Sequence, residues 1–234
     1  MSKTGFTIAG MHKLTTLDFP GLVSAIVFTQ GCNFHCPYCH NAHLIPTDIA
    51  GSRMDEERVL LFLRKRAGLL DGVVISGGEP CLQPGLPDFC REVKSLGYAV
   101  KLDTNGSSPD VLAGLLENKL VDYVAMDCKT MPEAYHSALC ADENITEKIL
   151  RSARLLKQSG VAHEFRTTCF APYITENTIQ ELAETFIGSS TWFLQKGILD
   201  DSSMRADSLR ACSTADIAAL VELATQKGCM VQSR

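Results

Sequence analysis

Six short apolar runs, each followed by a stretch with helical spacing, constrain the fold of this 234-residue chain more than any other feature. The runs are residues 23–29 (VSAIVFT), 73–76 (VVIS), 98–103 (YAVKLD), 122–127 (DYVAMD), 162–169 (AHEFRTTC) and 191–195 (TWFLQ). Helical patterns fall at 53–67 after a Gly-Ser start, 86–96 before Gly97, and 109–118 with Ser108 as cap and Pro109 in the first turn. Others fall at 143–158 before Gly160, near 175–187 and near 213–227. Strands that alternate with helices pair in parallel, because each crossover helix returns the chain to the same end of the sheet. The expectation is an α/β fold with a parallel sheet, curled or open.

At 45% hydrophobic and 21% charged, the chain can bury one sizeable core. It reads as a single domain over 1–234. A loop or short hairpin ending in TTLDFPG occupies 1–22, the strand-helix body 23–196, and a linker with a closing helix 197–234. The linker-like part is near 199–213 (LDDSSMRADSLRACS). Net charge is -5 with no long basic run, which gives no electrostatic argument for nucleic acid or an anionic membrane surface. Arg64, Lys65 and Arg66 read as a solvated helix face. No stretch approaches the roughly 20 apolar residues of a membrane span, and MSKTGFTIAG does not resemble a signal peptide. Ten cysteines in a chain of this kind fit a reducing cytoplasm better than a disulfide framework.

Directly after the first run, GCNFHCPYCHN at 31–41 places Cys32, Cys36 and Cys39 in a C-x3-C-x2-C spacing. Three thiolates can hold a 4Fe-4S cube by three of its irons, which leaves the fourth for a substrate or cofactor. CPYCH at 36–40 also matches a haem attachment signature, but that reading goes with export and leaves Cys32 unexplained. Zinc could take the three cysteines with His35, His40 or His43, yet a second Cys or His pair at finger-like distance is missing. Iron-sulfur is the preferred reading, with zinc ahead of haem. Cys81, Cys90, Cys128, Cys140, Cys169, Cys212 and Cys229 lack the close spacing of a second cluster and read as mostly buried free thiols. A redox or substrate role stays open for Cys81 and Cys128, which lie beside motifs.

The chemistry-bearing residues collect where strands end. Cys32 follows the first run, SGGEP (76–80) closes the second, DTNG (103–106) the third, Asp127 and Lys129 the fourth, and Gln195 the sixth, while Arg166 lies within the fifth. In parallel sheets and barrels the carboxyl ends of strands carry ligands and catalysis. Two glycines and a proline could be an ordinary tight turn. Beside a three-cysteine cluster, Gly77 and Gly78 would let backbone approach a ligand and Glu79 could meet an ammonium group. Asn-Gly is a favoured hairpin turn, yet a helix rather than a strand follows DTNG.

CNFHCPYC followed by SGGEP resembles the radical S-adenosylmethionine enzymes. With TTLDFPG, FTQGCNFHCPYCHN, KLDTNG and YVAMDCK, residues 14–130 resemble the activating enzymes of glycyl radical enzymes, most closely the anaerobic ribonucleoside-triphosphate reductase activating proteins. The resemblance implies a partial (β/α)6 barrel over 23–196, open on one side for a large protein substrate. Cys32, Cys36 and Cys39 would hold the 4Fe-4S cluster, and the methionine amine and carboxylate of S-adenosylmethionine would chelate its open iron. Tyr38 would lie near the adenine, Glu79 would bind the methionine ammonium, and Gly77 and Gly78 would shape its pocket. Lys129 and Arg166 match positions near the cosubstrate, and Asp103, Thr104 and Asn105 of the DTNG turn would also contribute to its binding. Asp103, Thr104 and Asp127 match positions that ring a monovalent cation in formate-lyase activases. Gln195 stands where those relatives tend to have a His.

The implied reaction passes one electron from the reduced cluster to S-adenosylmethionine, giving methionine and a 5'-deoxyadenosyl radical that removes hydrogen from a glycine Cα of a partner enzyme. The lack of a ferredoxin-like insert leaves anaerobic ribonucleotide reductase first among partners and pyruvate formate-lyase second, with flavodoxin or ferredoxin as electron donor. Two other classes stay open: a radical enzyme acting on a small molecule such as a deazapurine precursor, and a non-catalytic iron-sulfur electron carrier, which would need neither Glu79 nor DTNG.

Overall fold

The computed structural model describes residues 5–47, 54–140, 142–199 and 209–234. Its contacts divide into two compact units. In the first, β1 (Ile8–Thr15) pairs antiparallel with β2 (Ser24–Thr29), while β2, β3 (Gly72–Gly77) and β4 (Ala99–Thr104) pair in parallel with Ser24, Gly72 and Ala99 in register. Helices α1 (Glu56–Lys65) and α2 (Leu86–Ser95) make the two crossovers, and α3 (Pro109–Glu117) follows β4. Val27, Val73, Ile75, Val100 and Leu102 share one strand face and are all fully buried. On the other face Ile26 and Val74 pack with Phe19. Burial on both faces explains why these strands read as continuous apolar runs rather than alternating ones.

The second unit is built on β6 (Ala162–Ala171), β7 (Thr191–Lys196) and β9 (Met230–Ser233), paired in parallel, with β8 (Arg210–Ala211) antiparallel on β6. Its helices are α4 (Tyr135–Leu139), α5 (Ile145–Ser159), α6 (Glu176–Leu182), which continues as a wider turn over 183–187, and α7 (Thr214–Gln226). Ser213 and Asp216 form a capping box at the start of α7, and Gly160 ends α5 in the left-handed conformation. Strand β5 (Tyr123–Asp127) straddles the division, which falls after Val124. The fold class is the expected α/β, with mainly parallel strands.

Each of the six expected strands is present within two residues of its predicted bounds. The first 22 residues differ: in place of a loop or short hairpin, residues 8–15 form a full strand. Its signal is weak because only Ile8 is buried and two irregularities break the register with β2. A partner strand, rather than its own composition, satisfies its backbone. Helix α1 is shorter than predicted and is capped by Asp55, with Glu56 and Glu57 in its first turn and Arg64 and Lys65 in its last, as the helix dipole favours. The Gly-Ser start proposed for it and most of the 199–213 linker lie outside the described residues. The short strands β8 and β9 carried no sequence expectation. Among the described residues no helix is long and apolar enough to cross a membrane.

One buried relay ties the second unit's sheet together. Trp192 Nε1 donates to Thr167 Oγ1 at 3.0 Å, and that hydroxyl donates to the Cys128 carbonyl at 2.7 Å. Thr167→Val keeps the shape but strands an indole N–H and a carbonyl in the interior, so a loss of about 1–3 kcal/mol is expected. Urea unfolding should show a lower midpoint at an unchanged slope.

Candidate functional site

In the first unit the site begins where β2 turns toward Cys32. Gly31 N donates to the Leu44 carbonyl at 2.7 Å and Cys32 N to Ile45 at 3.1 Å, so the returning segment holds the corner from one side. The SGGEP loop holds it from the other: Gly78 N donates to the Thr29 carbonyl at 3.0 Å and Glu79 N to that of Gly31 at 2.8 Å. A Cβ on Gly77 would stand 2.3 Å from Thr29 N, and one on Gly78 would stand 2.1 Å from the Gly31 oxygen. The close approach these glycines permit is therefore to the chain itself, directly behind the first cysteine.

Two glutamines that the sequence did not single out complete this corner. Gln83 Nε2 donates to the Gln30 carbonyl at 2.6 Å, and Gln30 Nε2 donates to the Pro46 carbonyl at 2.6 Å. Both side chains are buried and serve backbone groups that no ladder reaches. The only hint in the sequence is a polar residue on either side of a motif.

Glu79 is 1% exposed. Its Oε1 accepts from Cys81 N at 3.0 Å and from Thr104 Oγ1 at 2.7 Å, which joins the ends of β3 and β4 through one carboxylate. Asp103 accepts from Lys101 Nζ at 2.5 Å, and Lys101, 2% exposed, sits 5.9 Å over the Tyr123 ring. Burial raises the Cys81 thiol well above its ordinary value and Glu79 raises it further, which supports the inert reading of that cysteine.

The second unit holds Cys36, Tyr38 and Cys39. Cys39 N donates to the Cys36 carbonyl at 3.1 Å in a tight turn. Tyr38 is buried, its ring stacked on Phe170 at 4.9 Å and edge-on to Tyr173 at 6.0 Å. Its hydroxyl donates to the Lys129 carbonyl at 3.3 Å, while Lys129 N donates to the Tyr135 hydroxyl at 2.8 Å. Two tyrosines thus clamp the backbone of Lys129; only the first was anticipated. Burial pushes the Cys36 thiol up to about 11, with Lys129 pulling the other way and Cys39 and Asp127 adding to the rise.

Asp127, at the end of β5, accepts from Lys129 Nζ at 3.0 Å and from Arg166 Nε at 3.0 Å. Burial alone would raise its carboxyl, but Arg166 and then Lys129 outweigh it and hold the group at about 2. Burial, the largest single effect, would lower Lys129, but the Asp127 carboxylate together with Cys36 and Tyr38 outweighs it and shifts the amine well upward. Asn105 Oδ1 accepts from Ser107 N at 2.9 Å, and Ser152 Oγ donates to the Gly106 carbonyl at 2.6 Å, so the DTNG turn is self-capped and leads into α3 rather than a hairpin.

Within each unit the donor chemistry fits the expected cluster: Cys32 leaves the braced corner of the first, Cys36 and Cys39 the tight turn of the second, and all three are free of disulfides. Among the described residues no group of three His, Cys, Asp or Glu side chains is gathered for a single metal ion. A cube binds each thiolate on a different iron and asks for a wider set than one ion does. Gln195 pairs with Thr168 and stands one residue before the end of β7, which runs on to Lys196 rather than stopping at Gln195 as expected. Burial raises the thiols of Cys90 and Cys169 to about 12 and shifts Cys128, Cys140, Cys212 and Cys229 upward, as inert thiols require.

Two measurements probe this geometry. Gly97 has a left-handed φ of +87° and open space around it, so Gly97→Ala should cost about 1–2 kcal/mol of backbone strain alone. Gly78→Ala, at a backbone conformation without that strain, must instead displace the Gly31 carbonyl and should destabilise by clearly more, read from paired urea curves. For acid stability, Asp127 titrates below its unfolded value of 3.8, so its contribution is present above that pH and is lost as pH falls toward about 2. Arg166→Gln removes the stronger of the two lowering charges, and its acid-unfolding midpoint should move to higher pH than that of the parent.

Comparison with known proteins is consistent with this arrangement. The chain is 36% identical over 193 residues to a Methanocaldococcus jannaschii protein assigned by name to the glycyl-radical enzyme activating enzymes, covering 81% of this chain and 79% of that one. It is 33% identical over 165 residues to the pyruvate formate-lyase 1-activating enzyme of Escherichia coli, covering 66% of this chain and 63% of that enzyme, just under two thirds of its length. Among solved structures, a radical SAM methyltransferase from Sphaerobacter thermophilus superposes with a TM-score of 0.73 at 15% identity, over 99% of this chain and 77% of that one, a likeness of fold. The family model of the radical SAM superfamily matches residues 26–186. The chain belongs to the radical SAM superfamily and, within it, to the activating enzymes of glycyl radical enzymes.

Proposed function

We propose that this enzyme cleaves S-adenosylmethionine reductively at a 4Fe-4S cluster held by Cys32, Cys36 and Cys39, and uses the resulting radical to activate anaerobic ribonucleotide reductase. The observation that carries the reading is the Cys32 corner, where glycines and two buried glutamines fix a cysteine backbone at the end of a parallel strand. Bound there, the cluster supplies the electron and the cosubstrate supplies the radical.

The chain's own residues position and enclose. Glu79 offers a buried carboxylate beside the first cysteine's brace, suited to the methionine ammonium. Lys129 and Arg166, both held by Asp127, bring two cationic side chains to the end of β5, where they suit the methionine carboxylate. Tyr38, packed among aromatic rings, gives an apolar wall for the adenine. A monovalent cation fits less well in this arrangement. Asp103, Asp127 and Thr104 already bind Lys101, the Lys129–Arg166 pair and Glu79, so a cation would have to share or displace those contacts.

The cytoplasm, with flavodoxin or ferredoxin as electron donor, suits an enzyme of ten free thiols. The 33% identity to a pyruvate formate-lyase activase supports pyruvate formate-lyase as the second candidate partner. Purified enzyme, reductant, S-adenosylmethionine and the candidate reductase, mixed without oxygen, should yield 5'-deoxyadenosine and a glycyl doublet by electron paramagnetic resonance. Cys36→Ala should lose colour, iron and cleavage together. Absence of deoxyadenosine from the intact enzyme, or cleavage retained in the variant, would defeat the proposal.

A further inference from the structure

We infer that strand β9 is a receiving edge for an extended polypeptide segment, with Gln232 and Arg234 meeting its main chain. The inference rests on the activase reading and names where the partner's glycine-bearing segment is held.

The argument starts from register within the second unit. The β6–β7 ladder pairs Arg166 with Phe193, and the β7–β9 ladder pairs Phe193 with Gln232. Beyond Ser233, Arg234 N donates to the Leu194 carbonyl at 2.9 Å and its own carbonyl accepts from Lys196 N at 3.0 Å, so the ladder runs through Arg234. Paired residues, and residues two apart on one strand, share a face. Arg166, Phe193, Gln232 and Arg234 therefore share one face. Arg166 binds Asp127 on it, which makes it the face of the candidate site.

Arg234 is fixed there by two contacts. Its guanidinium lies 3.5 Å from the centre of the Phe193 ring, and its two terminal nitrogens donate to the two carboxylate oxygens of Glu164 at 3.2 and 3.3 Å. The Glu164 side chain is 1% exposed and that of Arg234 is 40% exposed, so the cation faces outward from a buried counter-ion.

These contacts decide the ligand class. A carboxylate meets Arg234 at both oxygens, so the guanidinium reaches the surface already paired rather than as a bare charge for a phosphate or carboxylate ligand. A guanidinium keeps further N–H donors after a two-point contact, and the Gln232 carboxamide carries the same donor and acceptor groups as a peptide unit. Gln232 is exposed on a strand that, among the described residues, ends its sheet, the geometry to which extended segments add by main-chain hydrogen bonds. Hydrogen removal from a glycine Cα requires a stretched main chain to approach the carboxyl ends of the strands. An edge that offers a carboxamide and a carboxylate-paired guanidinium holds such a chain without selecting its side chains.

The test uses holoenzyme with reconstituted cluster, the anaerobic ribonucleoside-triphosphate reductase of the same cell, and a synthetic peptide spanning that protein's glycine-bearing segment. Gln232→Ala removes the carboxamide. Arg234→Lys keeps a charge beside Glu164 but loses the fork and the ring contact. Both should raise the KM for reductase and for peptide about tenfold, with kcat at saturation within about twofold and the KM for S-adenosylmethionine unmoved. Partner KM values equal to wild type in both variants would overturn the inference, as would a rise in the cosubstrate KM instead. Wild type that activates the reductase while both variants match it sinks the β9 edge alone; wild type that forms no deoxyadenosine sinks the activase reading and this one with it.

Discussion

Backbone lying directly against backbone is the constraint on which the functional end of the first unit depends. The turn after β3 crosses the turn after β2 with no room for a Cβ at Gly77 or Gly78. Peptide hydrogen bonds close the crossing, and Cys32 leaves from it with its own amide already bound to Ile45. A ligand to an iron cube must be presented without freedom, since loose thiolates would meet water and oxygen before the cosubstrate. Rigidity comes here from backbone contact and two buried glutamines rather than from bulky side chains.

The second unit uses charge and aromatic packing instead. Asp127 sits between Lys129 and Arg166, and two tyrosine hydroxyls fix the backbone of Lys129. Desolvation would penalise each of these ions alone, but together they hold one another charged. That is why the aspartate stays ionised although burial opposes it. The same clamp places Tyr38 next to Cys36 in the chain and against Phe170 in space, so the cysteine loop and the end of β5 are set as one piece.

Much of this was legible in the sequence because parallel strands buried on both faces leave long apolar runs, and because glycine, proline and capping residues punctuate the helices between them. Three-cysteine spacing and SGGEP stand out in the sequence for another reason, since each combines residue types that folding alone rarely asks for together. Strand β1 was harder to read because its pairing, not its burial, makes it a strand. The roles of Gln30 and Gln83 were not visible at all, because each acts on a backbone group well along the chain, 16 residues away for Gln30 on Pro46 and 53 for Gln83 on Gln30; Lys101 and Tyr135 meet partners only two and six residues away, but through burial and turns that no local pattern announces. The reason for Gly77 and Gly78 also changed, from room for a ligand to room for the neighbouring turn.

Local chemistry alone fixed the order of strands and helices, the cysteine trio and the strand ends at which polar residues collect, because periodicity, spacing and turn preference are properties of short windows. Only tertiary structure decided which carboxylate answers which distant cation: Asp127 to Arg166 and Glu164 to Arg234. Such pairs form across ladders whose register depends on every preceding crossover, and their energies depend on burial that no window of sequence contains.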